Sequence, residues 1–268
     1  MQSAPARLPR GLAVAAAVLA LVVGSVSVPA PTQAAIDTSM ESSIRSWINR
    51  DRAARGLRPL RLDLRLEALS GARASWLATK GQLTHNGLDG SACNAMTKRS
   101  IYWYRCGEDI GFTSAGWGLT SAAYLYKMWR NSPGHWALMM SSRFNYLGVG
   151  VARRSNGWTY AAIVFLEGPD RTRPVARMRT RSVSGTNLRF TWSGTDVRLQ
   201  THTAGIRNYN VELRVDNGKY VRIRTATTRT SMSLLHRARG HWYSVRVQAR
   251  DRRGNLSAWS SGLRAWVP

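Results

Sequence analysis

Trp129-Arg130-Asn131-Ser132-Pro133-Gly134-His135 decides how this chain is read. Leu125, Met128 and Trp129 precede it at helical spacing, which predicts a helix over about 121–131. Ser132-Pro133 then reads as an N-cap followed by Pro at the first helical position, and starts a short helix through His135 to Met140. Downstream, 146–153 and 158–166 read as strands around Ser155-Asn156-Gly157, a hairpin signal. Upstream, Thr38-x-x-Glu41 reads as a capping box. It opens a helix with Ile44, Trp47 and Ile48 on one face and Gly56 past its end. Asp63 can cap a second helix carrying Leu66, Leu69, Trp76 and Leu77, stopped by Gly81. The first half therefore mixes helices with a small antiparallel sheet.

Residues 169–174, with two prolines, read as a linker. Beyond them the period is two. Leu188, Phe190 and Trp192 alternate, as do Tyr209, Val211, Leu213 and Val215, and then Tyr243, Val245, Val247 and Ala249. Asn217-Gly218 marks a hairpin. Strands at this spacing predict a two-sheet sandwich over 175–268. Trp259 and Trp266 are expected to pack in its core.

The 268 residues include four Lys, 35 Arg and 14 acids, a formal charge of +25. Residues 36–168 hold 17 cations and 9 acids; residues 169–268 hold 20 and 5. The excess thus lies mainly on the second half and predicts an anionic partner there, while saying nothing about fold. Eleven Trp and 44% hydrophobic residues exclude a disordered chain. Two Cys exclude a disulfide-built scaffold and a four-Cys zinc site.

Residues 1–35 have the order of a secretory signal: Arg7 and Arg10, the apolar run 11–28, then small residues to Ala35. Export makes a disulfide between Cys93 and Cys106 the default. His85, Glu108 and His135 are a candidate set for Zn²⁺ or another divalent cation. They are equally a candidate acid/base group. Ser132 stands beside them. No HExxH, GxSxG or paired CxxC is present, and His202, His236 and His241 have no metal-ligand spacing.

The order of motifs is more specific than any one of them. Leu83-Thr84-His85-Asn86-Gly87, Cys106-Gly107-Glu108-Asp109-Ile110, the Trp129–His135 stretch and Leu147-Gly148-Val149-Gly150-Val151 follow one another. Together with 48–60, this series resembles the bacterial branch of the CAP superfamily: cysteine-rich secretory proteins, antigen 5 and pathogenesis-related 1. The resemblance covers about 40–167. It implies an α-β-α sandwich with a central cleft lined by His85, Glu108 and His135. Asp109 stands where the family usually has Asn, and Ser132 stands where many eukaryotic members have a second acid. Residues 240–257 resemble strand F and the F–G turn of a fibronectin type III domain, with Tyr243 as its corner tyrosine and Trp192 as its core Trp.

The expected protein is α+β: residues 1–35 a signal peptide, 36–168 a CAP-type α-β-α sandwich, 169–174 a linker, and 175–268 an all-β immunoglobulin-like (fibronectin type III-like) sandwich. The signal segment and the resemblance imply an extracellular, secreted protein, and the charge of the basic half points to association with the cell wall. The expected ligand-binding cleft is His85, Glu108, Ser132 and His135, taking a small ligand, a lipid or a divalent metal. The basic sandwich would be a spacer, or an anchor on an anionic cell-envelope polymer, rather than a nucleic-acid reader, since no nucleic-acid motif is present. The alternatives are a metal-assisted hydrolase of peptide or envelope material using the same residues, and an electrostatic surface-binding protein with a vestigial cleft.

Overall fold

The computed structural model describes residues 38–268, so the expected signal peptide lies outside the described residues. Five helices and eleven strands follow: α1 Thr38–Ala53, β1 Arg61–Leu62, α2 Leu64–Lys80, α3 Ala92–Lys98, β2 Arg105–Thr113, α4 Leu119–Arg130, α5 Pro133–Met139, β3 Tyr146–Arg153 and β4 Thr159–Glu167. Then come β5 Val175–Ser184, β6 Asn187–Thr195, β7 Ile206–Val215, β8 Val221–Thr227, β9 Ser231–Leu234, β10 His241–Asp251 and β11 Leu263–Val267. No described helix is long and apolar enough to cross a membrane.

The first sheet has the order β1-β3-β4-β2. Its pairings are antiparallel except that β1 runs parallel to β3. Both its faces are covered. Ile163 and Phe165 of β4 pack with Ile44 and Ile48 of α1 and Leu125 and Trp129 of α4. Val164 and Leu166 face the other way, toward Leu66 and Leu69 of α2 and Ala95 and Met96 of α3. Burial on both faces explains why β4 reads as an unbroken apolar run rather than an alternation. The layers are α-β-α, as the resemblance implies.

Local sequence sets several boundaries. Asp63 accepts a hydrogen bond from the Arg65 N–H at the start of α2, and Gly81 ends that helix at φ +66°. Glu41 does not simply serve the start of its helix: it is buried, and its Oε1 accepts from the Val151 N–H at 3.2 Å. Ser132 has an N-cap backbone but makes no side-chain cap bond; Pro133 alone starts α5. The short α3, and β2 itself, were not foreseen from periodicity.

The glycines of Leu147-Gly148-Val149-Gly150-Val151 explain how α2 reaches the sheet. A Cβ on Gly148 would lie 2.1 Å from the Leu66 carbonyl carbon, and one on Gly150 would lie 2.2 Å from the Gly71 N. These are backbone atoms, which cannot swing aside. Ser70 Oγ donates to the Gly148 carbonyl at 3.0 Å across the same contact.

The second half is a sandwich of two sheets, β5-β6-β9 and β11-β10-β7-β8. Phe190, Trp192, Val211, Val245 and Val247 lie between them. Tyr243 is buried, and its hydroxyl donates to the Ala238 carbonyl five residues upstream at 3.3 Å, the corner bond of such sandwiches. Trp266 departs from expectation. Its neighbours Ala265 and Val267 face the core, so alternation turns Trp266 outward, beside Trp242. Trp259 is half-buried between Arg222 and Arg246.

The segment expected as a linker is fastened at several points. Tyr146 Oη donates to the Pro169 carbonyl and accepts from the Arg171 N–H. Asp170 is buried and accepts from the Ala204 N–H. Leu199, from the β6–β7 connection, packs into the cluster of Leu66, Tyr146 and Leu166. Asn145 and Thr201 exchange two hydrogen bonds of 2.7 Å.

Gly150→Ala tests the helix-on-sheet contact. Overpacking against backbone should lower stability by about 1–3 kcal/mol, read as a lower urea midpoint. An unchanged midpoint would mean α2 can lift away freely.

Candidate functional site

Strand order leaves β2 at one edge of the first sheet. Glu108 lies on β2, in register with Val164 of β4, and is buried. Beneath it is Arg73 of α2. This arginine sits on the apolar stripe of its helix, four residues from Leu69 and four from Leu77, and is 2% exposed. Its guanidinium grips both carboxylate oxygens: Nε donates to Oε1, and Nη2 to Oε2 at 3.0 Å. The remaining donors go to backbone carbonyls. Nη1 reaches Leu88 O at 2.8 Å and Gly90 O at 3.0 Å, and Nη2 reaches His85 O at 3.0 Å. One buried cation therefore orders the carboxylate and the loop that carries His85.

His85 Nδ1 lies 2.8 Å from Glu108 Oε2. Oε2 also accepts from Arg73, so the proton of this contact is placed on Nδ1, which donates to the carboxylate. The His85 side chain is 60% exposed. His135 enters from α5 and is half-buried, with its Nδ1 buried and without a hydrogen-bond partner. Burial, and secondarily the charge of His85, hold its pKa below the usual imidazole value. His135 is therefore neutral at pH 7.

The expected cleft residues do not all play the same part. His85 and Glu108 are in contact; His135 is close enough to sense the charge of His85; no bond joins Ser132 to the group. Glu108 has both oxygens engaged, Oε1 by Arg73 and Oε2 by Arg73 and His85, which leaves the two imidazoles as the more open donors. Arg73 was missed, although a cation at an apolar helical spacing is a readable sign of a buried partner.

Asp109, next on β2, is fully buried, and neither carboxylate oxygen has a hydrogen-bond partner. Desolvation, helped by the charge of Glu108, pushes its pKa up to about 8. Strand alternation sends it to the opposite face from Glu108. On that face a Cβ at Gly107 would touch Leu138 and Phe144, and one at Gly111 would touch Met128 and Leu125.

Cys93 of α3 and Cys106 of β2 form the expected disulfide, with Cα atoms 5.8 Å apart. It ties α3 to the edge strand two residues before Glu108. Among the described residues, three carboxylates converge elsewhere: oxygens of Asp170, Asp196 and Asp251 lie within 4.8 Å of one another where the two sandwiches meet. Each also accepts backbone N–H groups, from Ala204, Gly205 and Arg253 respectively.

An α-β-α sandwich with His85 and Glu108 paired at an edge strand, followed by a sandwich with a tyrosine corner, defines the class. Comparison gives the family of the first half: residues 46–166 match the CAP model of the cysteine-rich secretory protein family, so this part of the chain is a CAP domain. The chain is 26% identical over 123 residues to the uncharacterized protein YkwD of Bacillus subtilis, covering 46% of each. It thus spans about half the length of that curated relative. An extracellular SCP-domain protein from Bacillus anthracis aligns with TM-score 0.43 and 18% identity, over 49% of this chain and 41% of that one. The sixth fibronectin type III domain of a human protein aligns with TM-score 0.27 and 18% identity, over 38% of this chain and 87% of that domain. What the structure itself shows of the C-terminal part is a two-sheet sandwich with a tyrosine corner.

Two outcomes follow from this geometry. Arg73→Met strands the Glu108 carboxylate in the interior and should cost about 3–5 kcal/mol, measured by denaturant unfolding; a loss below about 1 kcal/mol would place the pair effectively in solvent. Asp109 binds its proton more tightly folded than unfolded. Its contribution is full below the unfolded pKa of 3.8 and is lost as pH rises through about 8. Asp109→Asn should therefore raise the melting temperature more at pH 9 than at pH 5, and equal gains would refute the assignment.

Proposed function

We propose that this is a secreted CAP-domain protein of the cell exterior that binds a small ligand or divalent cation at the β2 edge, with the basic sandwich acting as spacer or envelope anchor. The observation that carries the reading is the fixed pair of His85 and Glu108 facing a His135 that burial keeps neutral. His85 Nε2 and His135 would hold a cation such as Zn²⁺. Glu108 would orient His85 and strengthen it as a donor rather than ligate. Such a cation would supply Lewis acidity to a bound group. Arg73 holds Glu108 in place, and His135 offers a lone pair without first losing a proton. The hydrolase alternative would need a free base beside the cation; engagement of both Glu108 oxygens favours binding over turnover.

Zn²⁺ titration of the full chain by calorimetry tests this. The parent should bind; His85→Ala and His135→Ala should abolish uptake; Glu108→Gln should weaken it by about 10–100-fold. Equal uptake by all four proteins would remove the cation site.

A further inference from the structure

Residues 169–268 carry 20 cations against five carboxylates, and the five are spent in few places. Glu212 pairs with Arg222 and Arg246, Asp216 with His241, and Asp170, Asp196 and Asp251 gather together. Among the described residues no carboxylate pairs with Arg189, Arg224 or Arg229. These three line one cavity of about 270 Å³, together with Trp192, Thr227 and Ser231. The cavity opens where the sheets end, since β9 is terminal in one and β8 in the other.

We propose that this cavity is a phosphate-binding site, taking phosphate free or as the repeating phosphodiester of an anionic polymer. The inference specifies the anchoring half of the reading above and does not depend on the β2-edge cleft.

The lining is rich in donors. Trp192 is 3% exposed, and its indole N–H is buried with no hydrogen-bond partner. Indole can only donate, so this N–H has a proton still to give to an acceptor. Ser231 Oγ accepts from Arg189 Nη2 at 3.2 Å, and Thr227 Oγ1 accepts from the Arg229 N–H at 3.2 Å. Each hydroxyl therefore keeps its own proton to give. Three guanidinium groups, two hydroxyls and an indole N–H together match an oxyanion with several acceptor oxygens and more than one negative charge. That is phosphate chemistry, since guanidinium groups bind phosphate oxygens in pairs. A carboxylate brings two oxygens and a single charge, and would leave most of these donors idle.

The test titrates the full chain at low salt with inorganic phosphate and with linear polyphosphate, by calorimetry and by the Trp192 indole N–H resonance. That resonance should shift with either ligand. Arg224→Gln/Arg229→Gln should weaken polyphosphate binding by about tenfold or more. Arg177→Gln/Arg181→Gln removes the same charge from exposed positions on β5 and should change it by less than about threefold. Tighter binding of polyphosphate than of phosphate identifies a polymer as the source; equal affinity per phosphate identifies the free anion, and both support the site. An unmoved indole resonance, or equal losses in the two double variants, overturns it. Retention on isolated cell walls without phosphate binding likewise removes the site while leaving the anchoring reading intact.

Discussion

Arg73 under the edge strand is the interaction on which the first domain's site depends. A guanidinium removed from water is costly unless its charge and all its donors are met. Here a buried carboxylate meets the charge, and three carbonyls of the 85–90 loop take donors. The arrangement works in both directions. Arg73 fixes the Glu108 carboxylate through both of its oxygens, and the same cation pins the loop that presents His85. The Cys93–Cys106 disulfide closes the other side of this unit by tying α3 to β2.

Close approach of α2 to the sheet makes that arrangement possible. Gly148 and Gly150 remove the side chains that would hold the helix away, so Arg73 can reach across to Glu108. Asp109 is the discordant residue on the same strand: its carboxyl sits in the core with no partner and stays protonated at neutral pH. The family's usual Asn at this position would avoid a titrating group there.

The two halves are joined more firmly than a Pro-containing connection suggests. Glu167 gathers Arg105, Arg143 and His202 at the junction, and His202 also stacks on Tyr104. Leu199 of the second half completes a core cluster of the first. The charge of the second sandwich is also less uniform than its composition. Arg222, Arg246 and Arg214 alternate with Trp259 and Tyr220 in a stack of cation–π contacts, with Glu212 across two of them. Other arginines stay without acidic partners around the Trp192 cavity.

Sequence alone determined the helices with clear caps, at Asp63 and Gly81, and the strands of the second sandwich, because their signals are local and periodic. It also named His85, Glu108 and His135, through the order of motifs rather than through any spacing. It misjudged Trp266, because an aromatic residue on a short strand gives no sign of which face it takes. It was silent on β2, whose residues carry no clean alternation because one turns to Arg73 and the next is a buried acid. What only the tertiary structure decided was the role of each group: that Glu108 is held by an arginine 35 residues away, that Ser132 caps by position and not by its hydroxyl, and that the junction segment is bolted to Tyr146. Those roles depend on long-range contacts and on burial, and no local pattern encodes either.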